Sequence, residues 1–214
     1  MLLSIVPCGP VAANMMFVGA DGGKTVAVID PSDAALALAI LKERGWTLSD
    51  ILITHRHFDH LLGVAELKKA TGATIYISEK DAEGLKSNLV SLSMAQRITL
   101  EPVEPDVLLH DGDTFEAAGL SFRVLETPGH TIGGITFVCD EQRCAFVGDT
   151  LFADGYGRFD LPTGDFNALS LSIRNVLFAL PDDYRLYPGH DEPTTVEREK
   201  RSNPINYEGM PWSD

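Results

Sequence analysis

Short apolar, β-branched runs recur along the chain at 26–29, 51–54, 75–78, 122–125, 135–139, 145–147 and 185–187. Runs of three to five such residues, set off by turn-forming residues, predict strands. Between them the pattern changes period. Residues 33–44 are rich in Ala and Leu, follow the cap candidate Ser32 and stop at Gly45, the residue type favoured just past a helix end, so this stretch predicts a buried helix. Leu169, Ile173, Val176, Leu177 and Leu180 repeat at helical spacing after the cap candidate Asp165, and Pro181 ends a second helix. Asp111-Gly112-Asp113 predicts a tight turn between apolar stretches at 107–109 and 114–116. Strands alternating with helices predict an α/β fold. No internal repeat or long Pro/Gly/Ser linker divides 1–214, which is expected to form one domain with a loose polar tail over 200–214.

Composition narrows the function. The chain of 214 residues is 44% apolar and 22% charged, values of a folded globular protein, and no apolar run approaches the roughly 20 residues that span a bilayer. Acidic residues outnumber basic ones by 31 to 17, a net charge of −14 that disfavours nucleic acid as a partner. The first basic residue is Lys24, so no secretory signal is readable, and three cysteines (Cys8, Cys139, Cys144) without zinc-finger spacing read as reduced thiols, Cys139 and Cys144 facing each other across a hairpin. A cytoplasmic protein is expected.

The chemistry is concentrated in Thr54-His55-Arg56-His57-Phe58-Asp59-His60, directly after an apolar run. His55 and His57, two apart, project to one side of an extended segment, while Asp59 and His60 fall where a following helix begins. Imidazole and carboxylate without thiolate suit zinc, iron or manganese in a catalytic rather than a structural site. Three further candidates, His130, Asp149 and His190, also follow predicted strands, and the first and last sit in Pro-Gly-His triplets. Binding sites of open α/β sheets collect at the carboxyl ends of strands, so His55, His57, Asp59, His60, His130, Asp149 and His190 are expected to meet at one edge. His110 lies outside the pattern. Arg158 and Asp160 read as a brace within a loop, Phe152, Tyr156 and Phe159 as either pocket wall or packing, and the charge run 197–201 as a solvated helix face.

The ordered motifs T-H-x-H-x-D-H (54–60), P-G-H-T (128–131), G-D-T-L-F (148–152) and P-G-H (188–190) resemble the metallo-β-lactamase superfamily, and within it the glyoxalase II-like, hydroxyacylglutathione hydrolase-like branch of short single-domain members. The stretches 157–161, 164–165, 194–201 and 203–204 extend the resemblance over nearly the whole chain. It implies a four-layer αββα sandwich, two mixed β-sheets flanked by helices. It also implies that His55, His57 and His130 hold one divalent ion, that Asp59, His60 and His190 hold a second, and that Asp149 bridges them, with zinc the expected metal and iron or manganese the alternatives. Asp59 is the expected catalytic residue. The implied activity is hydrolysis of a thioester such as S-lactoylglutathione, or a related acyl compound, through a bridging hydroxide. A mononuclear-iron persulfide dioxygenase, using His55, His130 and Asp149, and a lactonase are the alternatives. Two dications against Asp59, Asp149 and a hydroxide leave the site weakly positive, so a small anionic substrate is expected. Only residues 191–214 follow His190, less than the carboxy-terminal helical region with which full-length glyoxalase II enzymes contact glutathione.

Overall fold

A strand that is apolar on both faces must be covered on both, and the computed structural model, which describes residues 1–207, shows how this is met. Six strands form a first mixed sheet in sequence order: β1 (Leu2–Cys8), β2 (Ala13–Gly19), β3 (Thr25–Ile29), β4 (Thr47–Leu52), β5 (Thr74–Ser78) and β6 (Val107–Leu109). The second sheet comprises β7 (Thr114–Ala117), β8 (Leu120–Glu126), β9 (Ile135–Cys139) and β10 (Cys144–Gly148). After the short hairpin β11 (Leu151–Phe152) and β12 (Gly155–Tyr156) it is completed by β13 (Arg185–Pro188) and β14 (Thr194–Thr195), in the order β14-β13-β10-β9-β8-β7.

Side-chain alternation sorts the strands into layers. Met15 and Phe17 of β2, with Val26 and Val28 of β3, pack outward against α1 (Ala34–Arg44). Met16, Val18, Ala27 and Ile29 point the other way, into an inter-sheet core with Phe122, Phe137 and Phe146. Val138, Ala145 and Val147 bury the far face of the second sheet against Leu169, Ile173 and Leu177. The order is helix, sheet, sheet, helix, the expected αββα sandwich. No helix among the described residues is long and apolar enough to cross a membrane.

Several local expectations change. The amino-terminal hairpin of β1 and β2 escaped the pattern because Pro7, Gly9 and Pro10 interrupt it. Pro7 is tolerated since β1 is an edge strand, and Gly9 (φ +72°) helps close the turn. Asp33, not Ser32, caps α1: its carboxylate accepts from the Leu36 N–H at 2.9 Å, while the Ser32 hydroxyl donates to the Asp30 carbonyl. The Asp111-Gly112-Asp113 turn does not close a hairpin, because β6 pairs with β5 and β7 with β8, so the chain changes sheet there.

The helix expected after Asp165 is regular only in its first part. The remainder, Ser172–Val176 and Leu177–Ala179, widens and then tightens, keeping Leu169, Ile173 and Leu177 inward. The charged run 197–201 lies on the helix Val196–Ser202 and is not wholly solvated. Glu199 is fully buried, accepting from the Asp154 N–H (3.0 Å) and the Asn203 amide (2.8 Å). This network orders the tail as far as Tyr207, with Asn203 and Ile205 buried; the rest of the expected loose segment, 208–214, lies outside the described residues. Cys139 and Cys144 do face each other across β9 and β10, as free buried thiols.

Candidate metal centre

Parallel neighbours deliver their carboxyl ends to the same rim. β3 and β4 are parallel in one sheet, β10 and β13 in the other, and both pairs end at the centre. Asp30 follows β3. The segment His55 to His60 follows β4, its last residues entering a short helix, α2 (Phe58–Leu61), with α3 (Val64–Thr71) beyond it. His130 follows β8, Asp149 follows β10 and His190 follows β13.

All seven residues singled out in the sequence come together. His55, His57 and His130 present nitrogens that lie within 4.8 Å of one another, as do ligand atoms of Asp59, His60 and His190. Asp149 stands between the two groups: Oδ2 is 3.6 Å from both His130 Nε2 and His190 Nε2, and Oδ1 is 3.5 Å from His60 Nε2. His110 is elsewhere, exposed beside Glu79.

Asp30, which the motifs did not reveal, organises the donors. It is fully buried and held at φ +50°, accepting from the Thr54 N–H (2.8 Å) and hydroxyl (2.6 Å) and from His60 Nδ1 (3.0 Å). Because the Thr54 hydroxyl donates to Asp30, its oxygen accepts from His55 Nδ1 at 3.1 Å. His130 Nδ1 donates to the Arg158 carbonyl at 2.7 Å. The network thus assigns the ring proton of His55, His60 and His130 to Nδ1 and leaves each Nε2 lone pair facing inward. The strand-end rule that found the candidate ligands also covers Asp30, which directly follows Ile29. Asp30→Asn is expected to lower metal affinity and turnover roughly 10- to 100-fold with little loss of secondary structure, read by metal titration and circular dichroism; wild-type metal affinity would exclude this role.

The donor set fits divalent cations. Nε2 of His55, His57 and His60 and Oδ1 of Asp149 are buried without a hydrogen-bond partner, a costly arrangement unless a cation accepts them. Burial and the neighbouring imidazoles push His55 far below the ordinary histidine range, and burial chiefly lowers His57 to about 3, so both offer lone pairs at neutral pH. Burial acts to lower His60 too, but Asp59, Asp149 and Asp30 outweigh it and raise it, so its Nε2 lone pair holds a proton that a cation would displace. Burial acts to raise Asp59, yet His60 and His190 hold it well below the carboxylate range. Around the donors, the buried Asp81 accepts from the Arg56 N–H (3.1 Å), the Thr131 hydroxyl (2.6 Å) and the Gly133 N–H (3.1 Å), and the Arg56 guanidinium reaches the Thr163 hydroxyl at 2.5 Å. These contacts clamp four loops of the rim; neither Arg56 nor Asp81 was legible in that role.

A cavity of about 620 Å³ opens above the donors, floored by His57, Asp59, His130, Asp149 and His190. No Ser, Thr or Cys is among its described lining residues. Arg158 pairs with Asp160 through two contacts of 2.8 Å, the brace expected of them. Phe152 packs edge-on to His190 with ring centroids 6.1 Å apart, whereas Tyr156 and Phe159 pack on Phe166.

The family model described as the metallo-beta-lactamase superfamily matches residues 8–190. The chain belongs to this superfamily. Among curated members, hydroxyacylglutathione hydrolase GloC of Haemophilus influenzae is 36% identical over 210 residues, covering 96% of this chain and 98% of that protein. The hydroxyacylglutathione hydrolase of Ectopseudomonas mendocina is 45% identical over 166 residues, 77% of this chain but 56% of that protein. Among solved structures, BLEG-1 B3 metallo-beta-lactamase superposes with a TM-score of 0.91 at 29% identity, covering 95% and 99% of the two chains. TTHA1623 in a di-iron-bound form gives 0.84 at 34%, covering 94% and 99%. ETHE1 from Myxococcus xanthus gives 0.79 at 28%, covering 95% and 84%. This superfamily member is therefore an enzyme of the glyoxalase II-like branch, with a donor set suited to divalent metals.

Proposed function

We propose that this enzyme is a binuclear metallo-hydrolase that cleaves a thioester, with S-lactoylglutathione, the kind of substrate its curated relatives are named for, as the first compound to assay. His55, His57 and His130 would hold one divalent ion, Asp59, His60 and His190 the other, and Asp149 both. The observation that carries this reading is the placement of Asp149 within 3.6 Å of imidazoles from both groups, since two cations at close range need an anionic ligand in common.

When bound, the ions supply Lewis acidity, lowering the pKa of water and polarising a carbonyl oxygen. The chain supplies the rest. The described residues of the pocket include no Ser, Thr or Cys, and with its carboxylates and imidazoles assigned to the ions, water would be the nucleophile. Asp59 lines the cavity floor and is kept ionised by His60 and His190, so it can accept a hydrogen bond from that water and orient it. The hydrogen bonds from His60 to Asp30 and from His130 to the Arg158 carbonyl hold the imidazoles in one tautomer. A thiolate is a stable leaving group, so no positioned acid is needed to expel it.

Zinc is the first metal to test, with iron and manganese as alternatives, TTHA1623 having a di-iron form. Elemental analysis of protein purified without added metal is expected to give two ions per chain, with thioester cleavage independent of oxygen. One iron per chain with oxygen uptake on glutathione persulfide would replace this reading by the dioxygenase; preferential opening of lactones would replace it by the lactonase. Asp59→Asn is expected to fold normally and to lose roughly 10²- to 10⁴-fold in kcat; unchanged turnover would remove Asp59 from the chemistry.

A further inference from the structure

The ligand charges by themselves point to an anionic substrate, but the cavity above them is built differently. Apart from the floor, its walls are Val11, Phe58, Leu92, Ala95, Leu161 and Pro162, with Gln96 and Arg158 as the polar members. Arg158 is the only Lys or Arg among the described lining residues, and the Nε/Nη2 edge of its guanidinium is paired bidentately with the Asp160 carboxylate, which offsets its charge. A substrate carboxylate that displaced Asp160 would still have that carboxylate beside it. Charged ends of a ligand therefore find on these walls only a guanidinium whose charge Asp160 already offsets, and a carboxylate desolvated without a full partner is penalised.

Leu92 provides a second, independent observation. Its backbone is left-handed (φ +65°, ψ 8°), a conformation suited to Gly, Asn or Asp and costly for leucine. The turn that holds it is tied to the ligand helix, since the Phe58 N–H donates to the Ser91 carbonyl at 2.9 Å. A strained leucine is thus presented to the cavity next to the helix that carries Asp59 and His60.

We propose that Leu92, with Phe58 and Val11, forms a specificity wall that selects a thioester whose acyl group is uncharged and apolar, over hydroxyacyl or carboxylate-bearing acyl groups. This rests on the thioester-hydrolase reading above. Each methylene removed from water is a factor of about 4 in binding, so a six-carbon chain partly covered by this wall gains about tenfold.

The test uses the metal-replete full chain and compares kcat/KM for lactoyl, hexanoyl and succinyl thioesters of both glutathione and N-acetylcysteamine. Hexanoyl is expected to exceed lactoyl by about tenfold on either thiol, with succinyl slowest. Leu92→Asn suits the left-handed backbone, so its Tm should hold while the hexanoyl-to-lactoyl ratio falls toward unity; Val11→Asp, at an exposed position on the same wall, should lower the ratio as well. Calorimetric binding of the uncleavable hexanoyl and succinyl amides reads the pocket without turnover. Lactoyl or succinyl equal to or better than hexanoyl, or an unchanged ratio in both variants, overturns the specificity wall and leaves the hydrolase reading standing. Absence of cleavage of every thioester, with hexanoyl amide still preferred in binding, overturns the hydrolase reading and leaves the wall.

Discussion

Asp149→Asn is expected to abolish most thioester turnover, roughly 10³-fold or more, the equivalent of about 4 kcal/mol of lost stabilisation. It should also reduce bound metal from two ions to at most one per chain. The substitution is nearly isosteric, so the fold should persist, but it removes the one negative charge that faces His60, His130 and His190 at 3.5–3.6 Å. Elemental analysis beside steady-state kinetics reads both effects. Full metal occupancy with wild-type turnover would show that Asp149 is not the shared ligand, and with it the binuclear proposal would fall.

The second large effect separates two triplets identical in sequence. Alanine at Gly129 would place a Cβ 2.1 Å from the Leu169 backbone nitrogen, at a φ of +131°. The obstruction is helix backbone, which cannot step aside. Gly129→Ala should therefore destabilise the fold by about 3 kcal/mol or more, lowering Tm by roughly 6–12 °C.

Alanine at Gly189 meets Asp149 Oδ1 at 2.2 Å and His60 Cε1 at 2.8 Å, atoms of the candidate metal centre itself. Gly189→Ala should displace that carboxylate, and a misplacement of about 1 Å costs about 10²-fold in rate, with a smaller fall in Tm than at Gly129. Equal changes in Tm and turnover at the two positions would contradict this division. The pair is best measured in one thermal-shift and kinetic series.

Much of the site was legible because its signals are local. The spacing of His55, His57, Asp59 and His60, and the recurrence of a His or Asp after each apolar run, are properties of neighbouring residues. Runs buried on both faces also announced themselves, since their composition does not depend on which neighbour covers them. The elements that escaped depend on distant partners. Pro7 argues against a strand until β1 is known to be an edge, and Glu199 looks solvated until Asp154 and Asn203 are brought to it. Asp30 looks like any strand-end acid until it is found against Thr54 and His60.

By itself the sequence determined the class of fold and a set of donor types suited to divalent metals, because periodicity and ligand character are short-range properties. Tertiary structure alone decided that Asp149 lies between the two groups, that Asp30 assigns the imidazole protons, and that one Pro-Gly-His glycine abuts a helix while the other abuts a carboxylate. It also decided that β6 and β7 part into different sheets and that an apolar wall rises over a polar floor. Those outcomes are distances between residues far apart along the chain, set by how two twisted sheets pack, and no local pattern encodes them.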